Sequence, residues 1–264
     1  SVEKNKPYVQ SEVGLDKNQK EQSKLLIDLG NSDAIWLFPS LASDVVSKKP
    51  NIDDYLGRGF NGDIYGKRSR IYNFTLADFQ FLKPLMAIPD ENSIRHVSMV
   101  AGRKGSVGGE IMRRFTVGFD YQNQKMYLRK NNAYGEPFHF NMSGLDFEQI
   151  GVEWEKDLLT LESRPKKADN SIPIINNNVQ YRFVLKPVFS ISGVRKNSPG
   201  DKAGLKKGDR IISINGKKAS EMTLKKIIEL MRSDEGKTVS IAVERKTQRL
   251  DLKFILEDPI PYQE

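Results

Sequence analysis

Apolar residues recur along this chain in short alternating runs, and Gly, Asn and Asp punctuate them. Up to about residue 140 the runs at 24–28, 34–38, 70–74, 79–81 and 115–120 each read as a strand. Tyr121 to Gln124 reads as a turn into a further strand at 125–128, which makes a hairpin, and a short helix is expected near 109–114. A polar stretch follows at about 157–179. Its Glu162-Ser163-Arg164-Pro165-Lys166-Lys167 and Asn176-Asn177-Asn178 segments read as an exposed loop. The pattern then changes. Strands are expected at 188–194 and at 211–214, where Asn215-Gly216 closes the strand in a tight turn. Leu224, Ile227, Ile228 and Met231 stand at i, i+3, i+4 and i+7, the stripe of an amphipathic helix with Thr223 at its N-cap. Strands at 238–244 and 249–256 complete a β-β-helix-β-β order. The chain is therefore expected to be mainly β and to divide at 1–140 and 141–264. Residues 142–155 would supply the second domain's first strand, and 157–179 would be an inserted loop.

Length agrees with two domains, since the chain has 264 residues. Several chemistries are excluded. There is no cysteine, so disulfides, thiol catalysis and cysteine-held metals are ruled out. The two histidines, His96 and His139, do not suggest a multi-histidine metal site or a Ser–His–Asp triad. No apolar run is long enough to span a membrane. A formal charge of +8 is carried by scattered pairs such as Lys48-Lys49 and Arg113-Arg114 rather than by one block, so a nucleic-acid partner is not expected. Ser1 to Lys6 lacks the apolar core of a signal peptide and reads as a mature or internal start.

The segment with the most chemistry is Leu25-Leu26-Ile27-Asp28-Leu29-Gly30-Asn31-Ser32. An apolar strand here ends in an Asp-x-Gly turn. Such a turn holds a carboxylate at the mouth of a buried strand, and the Ser32 hydroxyl is within reach to orient it. One carboxylate does not hydrolyse a peptide in this way; two must share a proton, one acting as base toward water and the other as acid.

Further along, Val107-Gly108-Gly109-Glu110-Ile111-Met112 precedes Phe115-Thr116-Val117-Gly118-Phe119-Asp120, with Asn123 and Lys125-Met126-Tyr127-Leu128 after it. With Asp28 upstream, and with Gly59 to Gly66 where a β-hairpin would lie, this order resembles one lobe of the pepsin-like and retropepsin-like aspartic proteases. The resemblance covers about residues 7–130. It is narrower still to the second lobe of bacterial aspartyl-protease-like proteins that end in a PDZ domain. It implies an acid-protease β-barrel for the first domain, Asp28 as the catalytic carboxylate, and Leu29, Gly30 and Ser32 as the active-site loop. It implies a second Asp from a preceding lobe or from a homodimer partner, a peptide or protein substrate, no metal or organic cofactor, and a periplasmic or cell-envelope location. The family has Thr or Ser where this chain has Leu29, which removes a hydroxyl that would lock two such loops together. Asp33 is expected to bond locally, Trp36 and Phe38 to lie in the core, and Tyr65 to be a surface aromatic.

Ser198-Pro199-Gly200-Asp201-Lys202-Ala203-Gly204-Leu205-Lys206-Lys207-Gly208-Asp209 followed by Arg210 to Gly216 resembles the PDZ signature. PDZ domains take an extended peptide as an added strand. The resemblance places the groove between the strand at 188–194 and the helix, with Val188, Phe189, Ile191, Leu224, Ile227 and Ile228 as its lining. The carboxylate-binding loop would fall on Leu185-Lys186-Pro187-Val188-Phe189. That stretch has no glycine, and Pro187 has no N–H to donate, so an internal peptide segment, or no peptide at all, is expected rather than a chain end. The expected function is peptide hydrolysis by a water activated between Asp28 and a second Asp, with a PDZ domain binding peptide. The alternative is a catalytically degenerate peptide-binding or scaffold protein of the cell envelope.

Overall fold

A computed structural model of the chain describes residues 1–59, 62–94, 100–159 and 180–263. His96 and the expected loop segments at 162–171 and 176–178 lie outside them. The chain divides into two compact units, Ser1–Phe140 with Asp258–Glu264, and Asn141–Glu257.

The first unit contains β1 (Val2–Glu3), β2 (Lys6–Gly14), β3 (Lys20–Ile27), β4 (Ile35–Leu37), α1 (Pro39–Val46), β5 (Ile52–Gly59), β6 (Gly62–Arg70), β7 (Asn73–Leu76), β8 (Phe79–Leu82), β9 (Leu85–Pro89), α2 (Glu91–Ile94), β10 (Arg103–Val107), α3 (Gly109–Met112), β11 (Phe115–Asp120) and β12 (Lys125–Lys130). The main sheet runs in the order β5-β6-β9-β4-β10-β3-β2-β7-β8. The expected closed barrel is not formed. β5 and β8 end the path and do not pair with each other among the described strands, so the sheet stays open. β11 and β12 form the expected hairpin in full register, Phe115 opposite Lys130 through Asp120 opposite Lys125. The strand expected at 70–74 is divided between β6 and β7. Ile71 and Tyr72 turn the chain between them, and the Tyr72 N–H donates to the Gly14 carbonyl at 2.9 Å.

The core of this unit is built from Val13, Leu25, Ile35, Leu37, Ile71, Phe74, Met86, Val107 and Ile111, all buried. Phe79, Phe81, Phe115, Tyr134 and Phe138 make edge and tilted ring contacts at one side of it, with centroids 4.8 to 6.1 Å apart. Arg114 is fully buried there, with its guanidinium 3.9 Å from the centre of the Phe138 ring. Its Nε donates to the Glu110 carbonyl at 3.0 Å, and its Nη2 meets the Glu110 carboxylate at 2.9 Å. The last residues of the chain also belong to this unit. Ile260 is fully buried, and Arg70 donates to its carbonyl at 2.9 Å, to the Phe138 carbonyl at 2.8 Å and to the Asp258 carboxylate at 3.0 Å.

The second unit contains β13 (Leu145–Leu159), β14 (Gln180–Val194), α4 (Pro199–Lys202), β15 (Arg210–Ile214), β16 (Lys217–Lys218), a single 3-10 turn (Ala219–Glu221), α5 (Leu224–Met231), β17 (Thr238–Arg245) and β18 (Gln248–Ile255). Its sheet runs β13-β14-β15-β17-β18, with β16 beside β15. The strand expected at 188–194 is the end of a fifteen-residue β14, and β13 is equally long. The stripe read from the sequence packs as expected: Ile227 and Met231 of α5 are buried against Leu145, Phe189, Ile191 and Val239. Thr223 caps the helix, its Oγ1 accepting from the Lys226 N–H at 3.2 Å. Asn215 takes the left-handed turn conformation (φ 47°) and also exchanges two 2.8 Å bonds with the Ser240 backbone, tying the turn to β17.

Candidate functional site

Asp28 follows the last residue of β3. Its backbone N–H donates to the Val107 carbonyl at the end of β10, at 2.9 Å. β10 lies between β3 and β4, parallel to the first and antiparallel to the second. Two loops therefore meet at one end of the sheet: Asp28 to Asp33 between β3 and β4, and Gly108-Gly109 between β10 and α3. Gly109 N–H donates to the Asn31 carbonyl at 2.6 Å, Gly108 N–H to the Ala34 carbonyl at 2.9 Å and Glu110 N–H to the Asp33 carbonyl at 3.2 Å. The approach is too close for a side chain. A Cβ on Gly108 would stand 2.2 Å from the Asp33 carbonyl oxygen.

Asp28 is half-buried. Its Oδ1 accepts the Gly30 N–H at 3.1 Å, so Gly30 rather than Ser32 orients it; Ser32 is exposed. Leu29 is 61% exposed and stands outside the core. Arg103 approaches from β10. Burial presses its guanidinium below its ordinary value, and Tyr8 and Asp28 oppose that shift. Asp33 reaches further than a local bond. Its Oδ2 accepts from Trp36 Nε1 at 2.6 Å, and its Oδ1 is ion-paired with Arg68 Nη1, while Arg68 Nε meets Asp54 at 2.6 Å. The base of the β5–β6 hairpin is thereby fastened to the Asp28 loop. Burial pushes the Arg68 guanidinium down, but Asp33 and Asp54 outweigh it and hold it above its ordinary value. Tyr55 and Tyr65 pair edge to face on that hairpin, ring centres 5.5 Å apart and both rings exposed. Phe38 is buried and Trp36 half-buried. Among the described residues no group of three or more His, Cys, Asp or Glu side chains is placed to hold a metal ion.

In the second unit the resemblance placed the groove along the strand at 188–194, which is an inner strand of the sheet. β14 pairs with β13 on one side and, at Ser190 opposite Arg210, with β15 on the other, so this part of it has no open edge to offer a ligand. β13 is the edge strand, and α5 packs beside it. A cavity of about 130 Å³ lies there, lined by Asn141, Leu145, Asp146, Phe147, Ile228, Met231 and Arg232. Of the six residues expected to line the groove, Ile228 lines this cavity. Leu224 is half-buried on the same helix. Phe189, Ile191 and Ile227 are core residues. Val188, buried on the other face of β14, lines a separate cavity with Glu153, Trp154 and Arg210.

The expected loop at Leu185 to Phe189 is the middle of β14. The loop that opens onto α5 is instead Asn141-Met142-Ser143-Gly144-Leu145. Gly144 has φ +70°, and a Cβ there would stand 2.1 Å from Ser198 Cβ. The loop is braced from within. Asn141 Oδ1 accepts from Ser143 N at 3.1 Å, Ser143 Oγ at 2.8 Å and Gly144 N at 3.1 Å. Ser143 Oγ in turn accepts from Leu145 N at 3.1 Å. The sequence signal for this loop is a glycine directly before an alternating run, Gly144-Leu145-Asp146-Phe147. Leu185 to Phe189 competes with it only if β14 is short.

Asp209 anchors the turn before β15. It accepts from Lys206 N at 2.9 Å and from both arms of Arg245, at 2.6 and 2.7 Å. Burial pushes the Asp209 carboxyl up, but Arg245 and the Lys206 N–H outweigh it and hold it below the ordinary carboxylate range.

Residues 190–245 match a family model described as PDZ domain. Over 64 residues the chain is 32% identical to the probable CtpA-like serine protease of Staphylococcus haemolyticus (strain JCSC1435), covering 24% of this chain and 13% of that protein. Over 59 residues it is 39% identical to the carboxy-terminal processing protease CtpB of Bacillus subtilis (strain 168), covering 22% of this chain and 12% of that protein. The chain thus spans only about an eighth of these relatives. Among solved structures, the HtrA-type protease AlgW with decapeptide aligns at 14% identity over 95% of this chain and 60% of that one, with a TM-score of 0.25. A putative S41 protease from Bacteroides fragilis NCTC 9343 aligns at 17% identity over 55% of this chain and 34% of that one, with a TM-score of 0.20. Neither superposition is close enough to bear on the fold. None of these relatives is described as an aspartic peptidase, so the expectation for residues 1–140 gains no support from them. Residues 190–245 are a PDZ domain, in a chain weakly homologous to CtpA- and CtpB-like proteases.

Proposed function

We propose that this protein captures extended polypeptide through its PDZ domain as part of a proteolytic system of the cell envelope. The observation that carries this reading is the open edge of β13 facing α5 across a cavity with an apolar side at Leu145, Phe147, Ile228 and Met231. An extended segment can hydrogen-bond that edge as a further strand while its side chains enter the cavity beside Phe147 and Ile228. The ligand is an internal segment rather than a chain end. Leu145 N–H is committed to Ser143 Oγ and is not free to take a terminal carboxylate. The test is selection of displayed random peptides on the full chain, followed by fluorescence polarisation. Ile228→Arg is expected to weaken the selected peptides at least ~10-fold; unchanged affinity would place the ligand elsewhere.

A second reading concerns the first unit, and the meeting of the Asp28 and Gly108-Gly109 loops favours it. β10 threaded between β3 and β4 holds a half-buried carboxylate at a sheet end, beside an exposed Leu29, and the β5–β6 hairpin is fastened to the same loop through Arg68 and Asp33. This suits half of a two-carboxylate site, whose other Asp comes from a second lobe or a second copy. In the completed pair one carboxylate takes a proton from water as its oxygen attacks the peptide carbonyl carbon. The other, protonated, supplies the proton to the leaving nitrogen as the C–N bond breaks. Hydrolysis of a fluorogenic peptide mixture at acid pH should vanish with Asp28→Asn while the melting profile is retained. A rate indifferent to that substitution would rule the mechanism out. Absence of hydrolysis at every protein concentration would favour the binding role alone.

A further inference from the structure

β13 continues well past α5, remaining paired with β14 from Gly151 opposite Val188 to Leu159 opposite Gln180. The ladder carries a bulge at Ile150, between the pairs Gln149–Phe189 and Gly151–Val188. One inserted residue changes the parity of β13 but not of β14. Phe189, Pro187, Leu185, Phe183 and Tyr181 therefore share one face along β14. Phe147 and Gln149 lie on that face before the bulge, and Val152, Trp154 and Lys156 after it. This is the face on which Phe189 and Ile191 pack with Ile227 and Met231 of α5.

Beyond the helix that face is apolar and uncovered. Trp154 is 68% exposed, Phe183 65%, Val152 53%, and Leu185 and Tyr181 50% each. Trp154 pairs with Leu185 across the ribbon, and the Lys156 ammonium sits 3.5 Å from the centre of the Tyr181 ring. The other face is polar and latched to the body of the unit. Glu153 is ion-paired with Arg210, and Glu155 meets Lys218 at 2.9 Å and Ser220 at 2.8 Å. The latch keeps the apolar stripe turned the way the groove faces, along the same open edge.

From this continuity we infer that the stripe is the outer half of the peptide groove. It rests on the peptide-binding reading above. A segment of roughly nine residues, paired with β13 from Leu145 to Trp154 and passing the Ile150 bulge as β14 does, fills both halves. Its alternate side chains enter the cavity at Ile228 and then lie on Val152 and Trp154, with Leu185 and Phe183 behind them. The ligand class is an unfolded or strand-like polypeptide with bulky apolar residues at alternate positions, rather than a short tail.

Fluorescein-labelled 16-residue peptides from the displayed library, each with its two 8-residue halves, test this on the full chain. A 16-mer is expected to bind at least ~10-fold tighter than either half. Trp154→Thr combined with Phe183→Thr should remove that advantage and leave the better half unaffected. In the unmodified protein the 16-mer should shift tryptophan emission to the blue and the half held at Ile228 should not, a readout that needs no variant to fold. Equal binding of the 16-mer and its better half, or a double variant that keeps the advantage, overturns the inference. Sedimentation showing a dimer that the double variant loses assigns the stripe to a second copy, and pelleting with phosphatidylglycerol vesicles lost in the same variant assigns it to lipid; either result also overturns it. If Ile228→Arg leaves the better half bound, the groove itself has been misplaced, which is a separate failure.

Discussion

Asp209 shows how a sequence motif can be structural rather than chemical. Its carboxylate is almost wholly buried, yet both oxygens are occupied by Arg245 and one also by the Lys206 N–H. Asp209→Asn keeps the shape but removes the charge, and should destabilise the second unit by about 2–4 kcal/mol in urea unfolding. The pH dependence follows from the sign of its shift. A carboxyl held below its ordinary value in the folded state contributes stability above that value, ~3.9, and loses it as pH falls through the lower folded one. The urea midpoint of this unit, followed by amide NMR signals, should drop below about pH 4, and the drop should be shallower in Asp209→Asn. Leu29 is the opposite case. It departs from the motif around it, but at 61% exposure it does little for the fold. Leu29→Thr should change thermal stability by no more than about 0.5 kcal/mol. Any effect on association or hydrolysis would then report on what the loop touches.

At the scale of elements, local rules are the most legible. The β11–β12 hairpin, the Thr223-capped α5 and the strand ending at Asp28 all follow from periodicity and turn chemistry, which act over a few residues. Pairing partners are not legible. That β10 threads between β3 and β4, or that β13 rather than β14 is the open edge, depends on contacts between distant segments that no local pattern encodes. The bulge at Ile150 is hidden for the same reason. Arg114 is also invisible, since a basic pair reads as a solvated surface. Buried, it braces α3 through Glu110 and faces the Phe138 ring, and burial lowers its guanidinium below the ordinary value. Arg114→Met should cost the first unit about 3–5 kcal/mol by leaving the Glu110, Ala133 and Tyr134 carbonyls without their donor, although Arg113 still holds the Glu110 carboxylate; a lower melting temperature would show it.

For the molecule as a whole, composition bounds the chemistry well. The lack of cysteine and the scarcity of histidine remove whole classes of site without any appeal to the fold. Unit boundaries are only partly legible, because the first unit takes back the last residues of the chain. Phe138 and Asp258, on the two sides of the second unit in sequence, are both held by Arg70. Removing residues 258–264 should therefore lower the melting temperature of the first unit while the PDZ domain keeps its own, a difference that NMR or limited proteolysis would separate.

The same tail bears on how the protein is made. A ribosome releases the chain from the N-terminus, so everything through Glu257 emerges before Ile260 can reach its buried place beside Arg70. Of these two units, the one that emerges first is thus the later to finish. Until residues 258–260 have been added, Arg70 lacks the Ile260 carbonyl and the Asp258 carboxylate, and the first unit's core is incomplete. A nascent chain stalled after the PDZ domain would carry a finished peptide-binding module beside an unfinished first unit, whose maturation waits on the synthesis of Asp258 to Ile260.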